Sequence, residues 1–291
     1  MRIPQYIGRC AIAMNEQYNS FKLLSERTDR TKRAAVLQEM IVSEKKMNEV
    51  LKMHQKTTWH NDDRLYNNNN NLNAWISMVV MTDVLPVYSE KSISLIYNDE
   101  FDLEDIQSIR NFKAHFRVEF KELSEILLKA FGRRKVTKHK NYPSAGGLYP
   151  VIPILVVLDQ NILEGIETPG SYIYNATDHE LILLKEFTNQ DVENLRKYIS
   201  FSTVDNYKVF IAYSIDIKRS ITKYRVRGYR HALIEVGLMA QSFRHSICEF
   251  ERLGEVSWSG FSDNALTHSL GLNPRLAPVA LLQWFGEKYD F

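Results

Sequence analysis

Between Lys223 and Gly237 the chain reads Lys-Tyr-Arg-Val-Arg-Gly-Tyr-Arg-His-Ala-Leu-Ile-Glu-Val-Gly, which crowds titratable groups against the start of a periodic apolar segment. The cations Lys223, Arg225, Arg227 and Arg230 can gather an anion at a helix start, where unpaired amides already favour negative charge. Charge alone reads equally as a solvated basic turn. A second stretch, Tyr142-Pro143-Ser144-Ala145-Gly146-Gly147-Leu148-Tyr149-Pro150, offers paired glycines that let backbone approach a flat or phosphorylated ligand, and a serine able to donate or accept a hydrogen bond. Gly-Gly between prolines is also an ordinary turn. The dense basic run Arg133 to Lys140 just before it reads as a solvated loop or as an attractor of phosphate or acidic peptide. No spacing matches a dinucleotide fingerprint or a P-loop, and no cluster supports a metal.

These groups need elements to position them. From Tyr229 the apolar residues Ala232, Leu233, Val236, Ala240, Phe243 and Ile247 recur at helical spacing, predicting a core helix of about five turns with His231 as a packed or capping group. Phe116, Phe120, Leu123, Leu127 and Ala130 write another helix, stopped at Gly132. A third runs from Arg33 to Met53, with Val36, Leu37, Met40, Ile41, Met47, Val50 and Leu51 on one face for its own domain or a partner. Strands are predicted at Ile152 to Leu158, Lys208 to Ser214, Glu255 to Trp258 and Ala277 to Phe285, with a hairpin over Gly170 to Leu184. Helices are expected over Thr188 to Ser200 and Ser262 to Leu270. The asparagines Asn67 to Asn71, after Asn61, Asp62 and Asp63, read as a flexible loop. Strands and helices without regular βαβ alternation predict an α+β fold. The expected division is an N-terminal helical, partner-docking extension over 1–100 and a main domain over 101–291.

With 291 residues the chain can bury a sizeable core, and 37 Lys and Arg against 35 Asp and Glu give no general argument for nucleic acid or an anionic membrane. Cys10 and Cys248 are too few for a metal spacing, which suits a reduced, cytoplasmic protein and leaves one long-range disulfide open. The longest apolar stretch, Ala74 to Met81, is far short of a membrane span, and the N-terminus lacks a signal-peptide core.

Three segments in order, Pro143 to Pro150, Lys223 to Gly237, and Trp258 to Leu272 with the last strand, resemble the azoline dehydrogenases of azole-forming peptide synthetases, the SagB and microcin type within the nitroreductase superfamily. The resemblance runs from about Asp102 to the end. It implies a nitroreductase-like fold, a mainly antiparallel central sheet flanked by helices, homodimeric, with FMN at the subunit interface. It also implies oxidation of thiazoline or oxazoline rings in a precursor peptide to thiazole or oxazole, alongside cyclodehydratase subunits. The family's lysine-tyrosine pair falls on Lys223 and Tyr224 as catalytic residues. For FMN the resemblance points to Ser144, Gly146 and Gly147, to Ser259 and Gly260, and to Ser108 and Arg110 as a degraded phosphate segment in which Ile106 and Gln107 depart from the pattern. Arg227 or Arg230 is then the expected source of the missing charge. Gly146 alone is common to this loop and the family's order, since Ala145 and Gly147 stand where microcin-type members have Gly and Ala.

The chemistry makes its own demands. Aromatising an azoline removes a ring proton and sends a hydride to an acceptor, so a base must stand beside the ring. A phenol with a pKa of about 10 needs roughly 4 kcal/mol of help near neutrality, part of which a nearby ammonium provides. Adjacent helical residues do not face each other, so Lys223 and Tyr224 share a pocket only from an irregular segment, or divide the roles. On the first view the chain must leave regular helix before Gly228. Two other functions stay open: a nicotinamide-dependent nitroreductase or flavin reductase on small acceptors, and a scaffolding subunit of the synthetase.

Overall fold

The structure is a computed structural model describing residues 29–59, 70–79, 83–84, 90–95, 107–199 and 207–289. Cys10, Asn61 to Asn69, Ile106 and the expected boundary near residue 100 lie outside them.

Six strands form one sheet, antiparallel throughout: β1 (Val151–Val157), β2 (Gly170–Asn175), β3 (Glu180–Glu186), β4 (Val209–Ile215), β5 (Leu253–Trp258) and β6 (Val279–Glu287), in the order β3-β2-β1-β4-β6-β5. The central pair β1 and β4 is apolar throughout because both of its faces are covered. Alternation then sorts the side chains: Val209, Ile211, Tyr213 and Ile215 enter one core, while Phe210 and Ala212 enter the other. Helices α2 (Glu44–Gln55), α4 (Phe120–Phe131), α6 (Ile217–Tyr224) and α7 (Arg227–Cys248) fill the first core, and α5 (Asn189–Tyr198) and α8 (Asp263–Ser269) the second. This three-layer arrangement is the expected α+β fold with a central antiparallel sheet.

Local chemistry sets the helix ends. Glu119 and Glu122 form a capping box at the start of α4, and the Gly132 N–H closes its end on the Leu128 carbonyl at 2.9 Å. Phe116 precedes that helix and packs against Gly286 instead. Between α6 and α7 the chain breaks at Arg225, whose φ of 54° no regular helix permits, and α7 then runs 22 residues, about 33 Å. At Gly228 a Cβ would lie 1.9 Å from the Ser220 carbonyl oxygen, so α6 and α7 cross in backbone contact.

Three expectations change. The single helix over Arg33 to Met53 is two: residues 29–41 form α1, and Ser43 caps α2, accepting the Lys46 N–H. Their shared apolar face is divided accordingly, with Val36, Leu37, Met40 and Ile41 exposed and Met47, Val50 and Leu51 buried. Asn70 and Asn71, read as loop, open α3 (Asn70–Val79). Leu233, assigned to the buried face of α7, is exposed; Ala232, Val236, Ala240, Phe243 and Ile247 are buried as expected, and Gly228, Tyr229, Glu235, Met239 and Ser246 join them. Among the described residues no helix is long and apolar enough to cross a membrane.

Candidate active site

Lys223 and Tyr224 close the last turn of α6. Both side-chain tips reach the same spot: a Cβ on Gly146 would stand 2.7 Å from the Tyr224 hydroxyl and 2.9 Å from Lys223 Nζ. The ammonium also lies 5.2 Å from the centroid of the Tyr224 ring. The divergence expected of neighbouring helical residues is overcome by the long lysine stem and by the chain break at Arg225, after which no helical turn follows to separate them. His231, from the first turns of α7, packs edge-to-face on Tyr224 with centroids 4.9 Å apart. An amine and a phenol thus meet over one bare backbone position, an arrangement suited to proton transfer.

The loop beneath them is a short 3-10 turn, Ala145–Gly147, in which Gly146 and Gly147 take φ of 64° and 65°. Gly147 faces open space. The basic run leading into it folds back as a bridge between Arg133 and Lys140, its residues 134–139 exposed. Its ends do not stay in solvent. The Arg133 guanidinium lies 4.7 Å from the Tyr149 ring centroid, and Lys140 Nζ donates to the Tyr142 hydroxyl at 2.9 Å. Burial, and then the Arg133 charge, push the Lys140 ammonium down to about 8. Glu235, on α7, faces Ser144 from the buried side; burial raises its pKa, while Ser144, the Val151 amide, Lys140 and Arg219 pull the other way.

The remaining candidate residues fall in two other places. Ser259 lines a cavity of about 230 Å³ with Tyr229, Leu233, His54, Trp59 and Asp263. Gly260 sits against the Trp258 indole, whose Nε1 donates to its carbonyl at 2.7 Å. Tyr229 and His231, two residues apart on α7, point to nearly opposite sides at about 100° per residue. The Ser259 cavity therefore lies across α7 from the Tyr224 pair. Residues Ser108 and Arg110 lie beside β5, where the Ile109 N–H donates to the Glu255 carbonyl at 2.8 Å. Ser108 Oγ accepts from Arg244 at 2.8 Å, and the Arg110 carbonyl accepts from the Tyr207 hydroxyl at 2.6 Å. Arg244 follows Arg230 by fourteen positions on α7, about 21 Å, so one chain does not bring Ser108 to Arg227 and Arg230.

Sequence reasoning passed over His54, Arg219 and Glu235. The buried His54 Nδ1 pairs with the Tyr229 hydroxyl at 2.7 Å, tying α2 to α7, and the Trp59 N–H donates to Asp263 at 2.7 Å. Glu235 could have been found, as a charge inside the apolar stripe of α7, three residues after Ala232 and four before Met239. A further cavity, about 460 Å³ between α4 and the β2–β3 hairpin, is lined by apolar side chains, by Ser124, His179 and Tyr174, which hydrogen-bond one another, and by Glu167 and Glu180.

An FMN can be tested against these residues. The left-handed Gly147 leaves backbone open to a flat ring, beside Gly146 under the Lys223 and Tyr224 tips, Ser259 is exposed beside the α7 start, and Arg227 and Arg230 are exposed with no ion-pair partner among the described residues. Those groups fit a flavin phosphate and ring; Ser108, already engaged by Arg244, fits less well.

Comparison with known proteins shows the family and the fold. The chain is 25% identical over 206 residues to the microcin B17-processing protein McbC of Escherichia coli, covering 68% of this chain and 73% of that one. It is 29% identical over 177 residues to MJ1384 of Methanocaldococcus jannaschii, covering 59% and 85%. Among solved structures it matches the E. coli microcin synthetase McbBCD complex with truncated pro-MccB17 bound, at a TM-score of 0.76 and 22% identity, covering 88% of this chain and 97% of that one. The model of the nitroreductase family matches residues 105–284, and the chain belongs to that family.

Proposed function

We propose that this protein is an FMN-dependent azoline dehydrogenase that oxidises thiazoline or oxazoline rings in a ribosomally made precursor peptide, within a heterocycle synthetase. The observation that carries the reading is the meeting of Lys223 Nζ and the Tyr224 hydroxyl over Gly146. Likeness to the microcin B17-processing protein, and to a synthetase subunit along most of the chain, supports the same reading.

Bound FMN would supply the hydride acceptor, held by Gly146, Gly147, Ser144, Ser259 and Gly260 along its ring and by Arg227 and Arg230 at its phosphate, with Ser108 and Arg110 as further candidates. Tyr224 takes the ring proton on its oxygen in the phenolate form. Lys223 stabilises the negative charge of that oxygen until the proton arrives, and His231 packs on the phenol ring. The separation of Ser108 and Ser259 from the Tyr224 pair within one chain supports a homodimer, in which a second copy completes each site. So does the exposed strip Leu233, Ile234 and Leu238 on α7, with Gly237 open between them. The exposed apolar side of α1 suits contact with the cyclodehydratase subunits, and work on a precursor peptide within that synthetase goes with a cytoplasmic place.

The test is direct. Purified protein should be yellow and release FMN, and incubation with an azoline-bearing peptide should remove about 2 Da per ring. Tyr224→Phe should keep the flavin and lose about 10²- to 10⁴-fold in azole formation, as expected for a missing general base. Protein that cannot take up FMN would sink the reading. Turnover of nitroaromatics with reduced nicotinamide, and none of azolines, would assign the chain to small acceptors instead.

A further inference from the structure

The loop under the Lys223–Tyr224 pair holds a conformation that few sequences keep unaided. Beyond the two left-handed glycines, Tyr149, which has a side chain, sits at φ 48°. Residues in that region persist where their surroundings over-determine them.

Two helices provide those surroundings. From α6, Arg219 Nε donates to the Leu148 carbonyl at 2.6 Å, and the Asp216 N–H donates to the Pro150 carbonyl at 2.9 Å. From α7, the Glu235 carboxyl, in a residue only 2% exposed, stands against the Ser144 hydroxyl and the Val151 amide. Ser144 Oγ in turn accepts the Tyr149 N–H at 2.8 Å, closing the loop on itself. Arg219 lies one turn before Lys223, and Glu235 one turn after His231, the ring that packs on Tyr224. The helices that carry the pair therefore also carry the fasteners of the loop.

We infer that Arg219 and Glu235 are positioning residues: they clamp the Ser144–Tyr149 loop from α6 and α7, and so set the Gly146 backbone beneath the amine and phenol. The inference rests on the pair's proton-handling role. Gly146 is the contact through which it acts, because no side chain fits there without displacing both tips.

The experiment uses the full chain with FMN bound and an azoline-bearing peptide. Arg219→Ala and Glu235→Ala should each lower kcat about 10²-fold, the cost of a misplacement near 1 Å, with KM within about threefold. The visible flavin spectrum and thermal midpoint of Arg219→Ala should match the unmodified protein, since Arg219 is exposed. Glu235→Gln, which keeps an acceptor oxygen, should recover activity to within about threefold. Gly146→Ala should already be slow, and Arg219→Ala added to it should cost little more, because both act on one contact. Additive losses in that double variant, a Glu235→Gln as slow as Glu235→Ala, or full activity in both alanine variants would overturn the inference. If Glu235→Ala does not fold, the Arg219 and Gly146 cycle decides alone. Activity surviving Tyr224→Phe would instead sink the role of the pair, a different outcome from an active Arg219→Ala beside an inactive Tyr224→Phe.

Discussion

Glu235 on α7 and Glu255 on β5 are buried to the same degree, 2% and 3% exposed, yet their surroundings differ in kind. Glu255 is fully engaged. One oxygen pairs with the Arg244 guanidinium, and the other accepts from Gln283 Nε2 at 2.6 Å. Gln283 also takes the Tyr213 hydroxyl and donates to the Ala240 carbonyl at 3.1 Å, so the network joins β4, β5, β6 and α7. Glu235 has one oxygen without a partner, and its nearby cations, Lys140 and Arg219, are divided among other contacts. A buried charge with every bond made fixes the fold, whereas one left partly unmade is tolerated where it holds something the fold alone would not keep. The same contrast runs along α7. Arg244 near its end is committed to Glu255 and Ser108, while Arg227 and Arg230 at its start are exposed and unpaired among the described residues.

The largest effect expected from this contrast is on Glu255. Its replacement by alanine takes the carboxylate from the partly buried Arg244 and the buried Gln283, and should destabilise the protein by about 3–5 kcal/mol in urea unfolding. A loss below about 1 kcal/mol would mean that the network does not hold the sheet to α7. Next come the free cations. Arg227→Ala and Arg230→Ala should each change stability by less than about 0.5 kcal/mol. If they face the FMN phosphate, each should weaken FMN about tenfold, one charge-assisted hydrogen bond of roughly 1.5 kcal/mol, measured by fluorescence titration. Unchanged affinity in both would move the phosphate to the Ser108 and Arg110 end of the molecule.

Much of this architecture is legible in the amino-acid sequence, for reasons that also explain the misses. Strands β1 and β4 read clearly because burial on both faces makes them continuously apolar. The Lys223–Tyr224 pair and the Gly146 loop are legible as motifs, but their meeting is not, since it depends on lysine reach and on the break at Arg225. The division of the first helix was signalled by Ser43, a good cap, yet the apolar pattern runs through it unbroken. Asparagine composition hid the start of α3 because it reports turn preference and not the apolar residues that follow. Arg244 and Glu255 pair between different elements, so no helical spacing announces them. Leu233 misled because a long helix can carry two apolar strips, one for its core and one turned outward.

The smallest effect is the pH dependence that Glu235 adds. Burial raises the Glu235 pKa above the ordinary 4.5, so in the window above that value the folded chain binds more protons than the unfolded one. The stability it contributes is fully present below 4.5 and is lost as pH rises through the folded pKa. Glu235→Gln cannot ionise and should lack that decline. Urea unfolding of both proteins from acid to neutral pH should therefore show the glutamine variant gaining relative to the unmodified chain as pH rises. Parallel curves across the whole range would mean that burial does not raise the Glu235 pKa.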